Sequence, residues 1–143
     1  MKNKPLIIVA GEPFSVFSEI FLKAIKKNFY KKPIILIVSK SLFIKQMKEL
    51  NFKFEINLIN KDDLNLDKLS KKKINIINVN FKFKKTFDKI SDKSNLYIKK
   101  CFEIALKLLK KNIFEGLING PISKKNFLKE KFLGITEYLA QKT

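Results

Sequence analysis

The stretch PLIIVAGEPFSVFSEIFLKAIKKNFYKKPIILIVS, residues 5–39, decides the fold that the sequence predicts. It contains two short apolar runs, LIIVA and IILIV, each of the length of a buried strand. The segment between them, within residues 12–29, carries apolar residues at the i, i+3, i+4 and i+7 spacing of one helix face. A further amphipathic helix follows at SLFIKQMKEL. The chain therefore begins β-α-β-α, which is the pattern of a parallel sheet with crossover helices.

Serine residues are the predicted N-terminal caps of these helices, because their short side chains satisfy free backbone N–H groups. Ser15 or Ser18 is expected to cap the first helix, and Ser41 the second. The longest predicted helix lies within residues 91–112, and the run FEGLING after it reads as another buried strand.

Two segments in the middle of the chain have a different pattern. Residues 52–58 and 77–83 alternate apolar and polar side chains, and the residues between them form a polar loop. A period of two with one polar face predicts an antiparallel or an edge strand. The predicted fold is therefore α/β, with three layers and a mostly parallel sheet plus antiparallel edge strands.

The composition excludes several classes of catalytic site. The chain has 143 residues, the size of one ordinary domain, with no histidine and a single cysteine, Cys101. A serine-histidine-aspartate triad, a zinc site of usual composition and a histidine-activated cysteine are therefore absent, and Cys101 is expected to be a packed thiol. There is also no glycine-rich phosphate loop of a standard kind. The apolar runs are too short to span a membrane and no export signal is evident, which favours a cytoplasmic protein.

The charge pattern gives little evidence for a nucleic-acid partner. The formal net charge is +18, and all 31 basic residues are lysine. Specific nucleic-acid readers depend strongly on arginine, and the lysines are spread along the chain, as an A/T-rich coding sequence would produce. We interpret them as a solvated basic surface. The alternative is a non-catalytic basic module that binds polyanions, and such binding would fall steeply with salt.

Two strand ends carry the turn chemistry that a ligand site needs. AGEP follows the first strand and NGP, residues 119–121, follows the last. In open α/β sheets, ligands bind beyond the carboxyl ends of the strands. Ser123 is expected to cap a following helix, and Lys124 in its first turn to meet an anion. Thr136 begins the final helix, either as a simple N-cap, which the residues alone favour, or as part of an anion site.

Three motifs give the sequence a family resemblance. GLINGPISKKNFL and FLGITEYLAQKT resemble the Gly-Pro-Ile-Asn-Lys and Phe-Pro-Gly-His-Thr-Glu-Tyr-Leu-Ala motifs of the 4-hydroxythreonine-4-phosphate dehydrogenases. AGEPFSVFSEIFLKA is similar to that family's opening Gly-Asp/Glu-Pro-Ala-Gly-Ile-Gly-Pro-Glu-Ile. The three matches occur in the family's order and span almost the whole chain.

The resemblance implies an NAD-dependent oxidative decarboxylation in pyridoxal phosphate biosynthesis. It implies a phosphorylated small-molecule substrate, a divalent metal (Zn, Mg or Co) and a homodimer of two-domain subunits of the isocitrate/isopropylmalate dehydrogenase type. Residues 1–143 would be the N-terminal part, with the first domain ending near residue 120. Thr136 would bind substrate, with Lys124 close by. The metal ligands and nucleotide contacts are expected outside this chain. The chain alone would therefore be inactive, and no catalytic residue is assigned to it.

The sequence departs from the family pattern at the substrate motif. Ile135 occupies the position of the family's histidine, and it cannot make the hydrogen bond that an imidazole makes. The family's Ala-Gly-Ile-Gly-Pro is FSVFS here, and its Asn is Ser123. A related dehydrogenase of another phosphorylated hydroxy acid is therefore the alternative. A partial α/β domain is also expected to leave a sheet edge and an apolar face unpaired.

Overall fold

A computed structural model describes residues 3–27, 31–129 and 131–143 of the chain. Five strands and four α-helices lie in this part of the chain, and they alternate except that β4 follows β3 directly. In order they are β1 (Leu6–Val9), α1 (Phe17–Lys26), β2 (Ile34–Val38), α2 (Lys40–Glu49), β3 (Ile56–Leu58), β4 (Ile74–Asn78), α3 (Asn95–Leu109), β5 (Gly116–Asn119) and α4 (Ile135–Lys142). The sequence predicted that the first helix reaches residue 29, and residues 28–30 lie outside the described part.

The strands form a single sheet in the order β3-β4-β2-β1-β5, and every pairing in it is parallel. In the centre of the sheet, Ile8 of β1 lies opposite Leu36 of β2 on one side and Ile118 of β5 on the other. The predicted α/β fold is confirmed. For the two alternating segments, the predicted edge position is confirmed for β3, whereas β4 is an interior strand. The predicted antiparallel pairing is wrong, because β3 and β4 are parallel to each other and β4 is parallel to β2.

The alternating pattern at residues 77–83 has a different physical origin. Ile76 and Ile77 point to opposite faces of β4 and both are buried, so this strand is apolar on both sides. Beyond Asn78 the chain leaves the sheet and lies over the core, where the ring of Phe81 is 4.9 Å from that of Tyr97. The apolar residues at every second position therefore belong to a loop packed on the core as well as to the strand end.

Two apolar cores lie on the two faces of the sheet and give the predicted three layers. One core packs α3 and the C-terminal segment against the sheet, and the other packs α1 and α2 against the opposite face. Cys101 lies in the first core with 1% of its surface exposed, and burial raises the pKa of its thiol to about 12. The prediction of a packed thiol is confirmed. No helix in the described ranges is long and apolar enough to cross a membrane.

The helix caps differ in part from those predicted. The cap of α2 is Ser39, whose hydroxyl accepts a hydrogen bond from the backbone N–H three residues later at 3.4 Å, whereas Ser41 lies inside the helix. Helix α1 follows Val16, whose side chain makes no cap hydrogen bond, but the Oγ of Ser15 accepts a hydrogen bond from the backbone N–H of Phe17 at 3.2 Å. Ser15 thus satisfies a free N–H at the helix start as predicted, whereas Ser18 lies inside the helix and does not cap it.

Candidate functional site

The sheet order identifies where a ligand site is expected. The strands β2, β4 and β3 lie in that spatial order on one side of β1. After β4 the chain crosses to the other side of β1, where it forms β5. The strand order therefore reverses between β1 and β5. Crevices at the carboxyl ends of strands on the two sides of such a point are the usual ligand sites of open α/β sheets. The two turns that the sequence singled out, AGEP and NGP, follow these two strands.

Glycine allows these two turns to touch. Gly11 has a φ of +80°, and a Cβ placed on it would lie 2.5 Å from the carbonyl oxygen of Pro121. A Cβ on Gly120 would lie 2.0 Å from the carbonyl oxygen of Ala10. The backbone N–H of Glu12 donates a hydrogen bond to the Pro121 carbonyl at 2.9 Å. The backbones are thus closer than any side chain would permit.

A buried carboxylate lies beneath this contact. Glu12 is only 2% exposed, and its Oε1 accepts a hydrogen bond from the backbone N–H of Ser123 at 3.2 Å. Its Oε2 accepts from the Oγ of Ser94 at 3.3 Å, immediately before α3. Burial raises the pKa of the Glu12 carboxyl, and the two hydrogen bonds oppose that shift. We call Glu12, Ser94 and Ser123 the Glu12 junction, because one side chain connects three segments of the chain.

The sequence interpretation did not assign Glu12 or Ser94 a role. The available signal was an acidic residue placed directly between a buried strand and a proline, where a solvated charge is not expected. Nothing local marked Ser94, since its partner is 82 residues away. The pairing is a property of the tertiary structure.

A groove of about 690 Å³ opens beside the junction along β5. Its walls come from α1, β5, the turn after β5 and the start of α4; the lining residues are Phe17, Ile20, residues 118–122, Lys124, Leu128 and residues 133–136. We call it the β5 groove. It brings together all three residues that the family resemblance singled out. Lys124 and Thr136 are exposed and Ile135 is half-buried.

The Thr136 hydroxyl is not used to cap α4. The helix begins at Ile135, and its N-cap is Gly134, which has no side chain to accept a hydrogen bond from the first turn. Instead, Oε2 of Glu137 accepts a hydrogen bond from the backbone N–H of Leu133 at 2.7 Å. The interpretation of Thr136 as a simple N-cap is therefore wrong. Among the described residues its hydroxyl has no hydrogen-bond partner, which leaves it available to a ligand in the groove.

The turn after β5 is fixed by Ser123 without a helix. Its Oγ accepts a hydrogen bond from the backbone N–H of Asn126 at 3.0 Å, and residues 124–127 form turns only. The predicted helix after Ser123 is wrong, because the chain makes a single turn here, in which the Ser123 carbonyl accepts a hydrogen bond from the N–H of Phe127 at 3.0 Å. The N–H of Ser123 donates to Glu12 and so holds the turn to the junction. Lys124 follows directly, and this anchored turn places it on the wall of the β5 groove.

The polar groups in the β5 groove do not fit a divalent metal. Its side chains offer one hydroxyl, one amide and one ammonium group, and hard cations need several carboxylate or carbonyl oxygens. Across the described ranges no three His, Cys, Asp or Glu side chains are grouped to hold a metal. A second cavity of about 470 Å³ lies between α3 and the end of β4, away from the predicted residues, and its wall includes Lys100, Glu103 and Lys107. The side chains on the wall of the β5 groove therefore offer a ligand one cationic group and two neutral polar groups.

Comparisons with known proteins bear on the family and the fold of the chain. A family model described as pyridoxal phosphate biosynthetic protein PdxA matches residues 30–143. A search of curated proteins gave no significant match. Among solved structures, a 4-hydroxythreonine-4-phosphate dehydrogenase from Burkholderia phymatum superimposes with a TM-score of 0.79 at 15% identity, covering 99% of this chain and 44% of that one.

The corresponding enzyme from Klebsiella pneumoniae gives a TM-score of 0.76 at 16% identity, covering 97% of this chain and 45% of that one. The chain thus spans less than half the length of these structures, and at such identities the likeness concerns the fold. The family model matches most of the chain independently of that likeness. The chain therefore belongs to the pyridoxal phosphate biosynthetic protein PdxA family.

Proposed function

We propose that the chain is the N-terminal part of an NAD-dependent 4-hydroxythreonine-4-phosphate dehydrogenase, which catalyses an oxidative decarboxylation in pyridoxal phosphate biosynthesis. The β5 groove is one wall of its substrate site. The observation that carries the proposal is the position of Lys124, Ile135 and Thr136 on one groove at the reversal of strand order. In this proposal a first domain extends to about residue 120 and a second begins after it.

The three residues have distinct chemical tasks in the proposal. The free hydroxyl of Thr136 hydrogen-bonds the substrate, and the ammonium group of Lys124 attracts its phosphate as a charge-assisted donor. Ile135 contributes an apolar contact only. In this proposal NAD and the divalent metal, Zn, Mg or Co, are held by polypeptide outside this chain, and for the metal the support is that the groove lacks a set of oxygen ligands. The working form is a cytoplasmic homodimer.

The test uses the protein isolated from its own cells through an N-terminal tag, with NADH formation followed on 4-phosphohydroxythreonine. Thr136→Val keeps the shape of the side chain and removes the hydroxyl. We expect kcat/KM to fall about 10- to 100-fold, as for the loss of one hydrogen bond to a charged ligand. Thr143→Val is the matched control, because its hydroxyl bonds to the Ala140 carbonyl outside the groove.

Equal kcat/KM values for the Thr136→Val and Thr143→Val proteins would contradict the substrate role of Thr136. The 143-residue chain expressed alone is expected to form no NADH. Turnover by that chain would show that the groove carries the whole reaction, against the proposal.

A second candidate keeps the family and changes the substrate to another phosphorylated hydroxy acid. It is favoured by Ile135, an apolar residue on the groove wall where the family motif has a histidine. A substrate panel on the protein isolated from its own cells separates the candidates. The highest kcat/KM is on 4-phosphohydroxythreonine if that compound is the substrate, and on another phosphorylated hydroxy acid if the second candidate holds.

A polyanion-binding module is the remaining alternative, and its support is the net charge alone. Its signature is binding to RNA that weakens steeply with salt. RNA binding that is absent, or indifferent to salt, excludes it.

A further inference from the structure

The cavity between α3 and the end of β4 has no part in the proposed function. Its volume is about 470 Å³, and it shares no lining residue with the β5 groove. Small-molecule sites commonly have volumes of about 300–1,000 Å³. Its wall comes from residues 61–62 after β3, residues 78–79 at the end of β4 and positions within residues 100–111. We call it the α3 cavity.

The floor of the α3 cavity is apolar and belongs to the core of the protein. Val79 is 6% exposed and Leu108 is 3% exposed. Ile104, one helical turn before Leu108, is half-buried and packs against the same core. Burying apolar surface is favourable, so this floor offers a contact to the ring or hydrocarbon part of a ligand.

Lysine side chains border this apolar floor. Lys100, Lys107 and Lys111 come from α3 and the turn after it, and Lys61 comes from the segment after β3. Positions 100, 107 and 111 are seven and four residues apart, so they follow one side of the helix. The cationic groups therefore surround a single apolar floor from two segments of the chain.

Most of this positive charge is not neutralised by the chain itself. Within the described ranges, the three lysines from α3 and its following turn form no ion pair. Lys61 pairs with Asp62, with 3.1 Å between Nζ and Oδ2. Together with Glu103, the wall holds four lysines and two acidic residues, a net charge of +2. The cavity thus combines an apolar floor with cations that are available to an anion.

The end of the helix explains only part of this arrangement. The partial negative charge at a helix C-terminus favours lysine in the last turn, where Lys107 lies, and just beyond it, where Lys111 lies. That effect falls off within one turn. Lys100 is the sixth residue of α3, so the helix dipole does not account for a cation at this position.

We propose that the α3 cavity binds a small organic phosphate, a molecule with an apolar ring or chain and a phosphate monoester group. The apolar part lies on Ile104 and the buried side chains beside it, and the ammonium groups of Lys100 and Lys107 meet the phosphate. A polymer such as RNA is a poorer occupant, because it needs a continuous basic surface and these lysines enclose one cavity. The proposal does not depend on the proposed function.

The test is isothermal titration calorimetry with 1-naphthyl phosphate on the protein isolated from its own cells. Inorganic phosphate is the comparison probe, because it carries the anionic group without the ring. Naphthyl phosphate should bind at least about tenfold more tightly, since its ring loses apolar surface to the cavity. Equal affinities of the two probes, or no saturable binding of naphthyl phosphate, would overturn the proposal.

Paired lysine substitutions locate the bound probe. Lys100→Gln with Lys107→Gln removes two charges from the cavity wall, and Lys99→Gln with Lys110→Gln removes two exposed charges from the same helix outside it. The first pair should raise the Kd about 3- to 30-fold, as for two exposed ionic contacts. The control pair should change it less than about twofold, because salt screens more distant charges. Equal effects would show attraction by net charge alone and would overturn the proposal.

The apolar floor has a test of its own. Ile104→Ala should weaken the binding of naphthyl phosphate and leave that of inorganic phosphate nearly unchanged. Leu109→Ala is the matched control, since Leu109 is a half-buried residue of the same helix and core that does not line the cavity. Equal losses of naphthyl phosphate binding in the two variants would contradict a ring on this floor.

A last variant separates this cavity from the β5 groove, to which the proposed function assigns another phosphorylated ligand. Lys124→Gln should leave the binding of naphthyl phosphate to the α3 cavity unchanged. Loss of all naphthyl phosphate binding in this variant would place the probe in the β5 groove and overturn the proposal. An effect of Lys124→Gln on turnover alone bears on the proposed function and not on the α3 cavity.

Discussion

The contact between the turns after β1 and β5 can be tested at Gly120. In Gly120→Ala, the new Cβ would lie 2.0 Å from the Ala10 carbonyl oxygen and 2.8 Å from a ring carbon of Phe17. Because the first of these atoms belongs to the backbone, the two turns must separate. Overpacking of this kind costs about 1–3 kcal/mol. Separation also weakens the hydrogen bond from the Gly120 N–H to the Val9 carbonyl, now 2.7 Å, which contributes about 1 kcal/mol.

The free energy of unfolding should therefore fall by about 3 kcal/mol in total. With a urea m-value of about 1–3 kcal/mol per molar, the midpoint falls by about 1–3 M. The assay is urea unfolding followed by far-UV circular dichroism, because the chain has no tryptophan. Low protein concentration limits association of the folded chain.

Gly116→Ala is the matched control on the same strand. Nothing lies within 4 Å of a Cβ at this position, and its φ lies outside the left-handed region. The substitution should stabilise the chain by a few tenths to about 1 kcal/mol, since alanine reduces the entropy of the unfolded state. Unfolding free energies of the two variants within about 0.5 kcal/mol of each other would refute the close approach of the two turns.

Three further predictions follow from other sites in the fold. Ser39→Ala should lower the free energy of unfolding by about 1 kcal/mol. Ser41→Ala should lower it by less, because it removes only the 3.3 Å contact between the Ser41 and Ser39 hydroxyls, and equal losses in urea unfolding would contradict the observed cap. The pKa of Glu12 is raised above 4.5 in the folded state, which therefore binds more protons than the unfolded state, so the free energy of unfolding falls as pH rises from about 4.5 through the raised pKa. Glu12→Gln should remove this part of the pH dependence. Parallel curves of stability against pH for the two proteins would contradict the role of Glu12. The Cys101 thiol should react with a disulfide reagent only on unfolding, and rapid reaction in the folded chain would contradict its burial.

The candidate site was partly visible in the sequence. Thr136, Ile135 and Lys124 were identified by resemblance to a family motif, and the structure places them on one groove. The identity of the cap of α4 was not visible, because the sequence Gly-Ile-Thr at residues 134–136 is compatible with several helix starts. The choice depended on Glu137, whose carboxylate accepts the N–H of Leu133 instead. Local patterns in the sequence offered several candidate caps, and the hydrogen bonds formed in the folded chain show which of them is used.

Sequence alone determined the fold class and the two turns that matter. Short apolar runs, helical spacing and the glycines of AGEP and NGP are local signals, and local signals arise from backbone and side-chain preferences that act within a few residues. The tertiary structure alone decided the parallel direction of β3 and β4, the Glu12 junction and the α3 cavity. Each of these depends on residues far apart in the chain: the Ser94 hydroxyl is 82 residues from Glu12, and the Ser123 N–H is 111 residues from it. A buried carboxylate is stable only where such distant donors converge on it, and only the folded sheet brings them there.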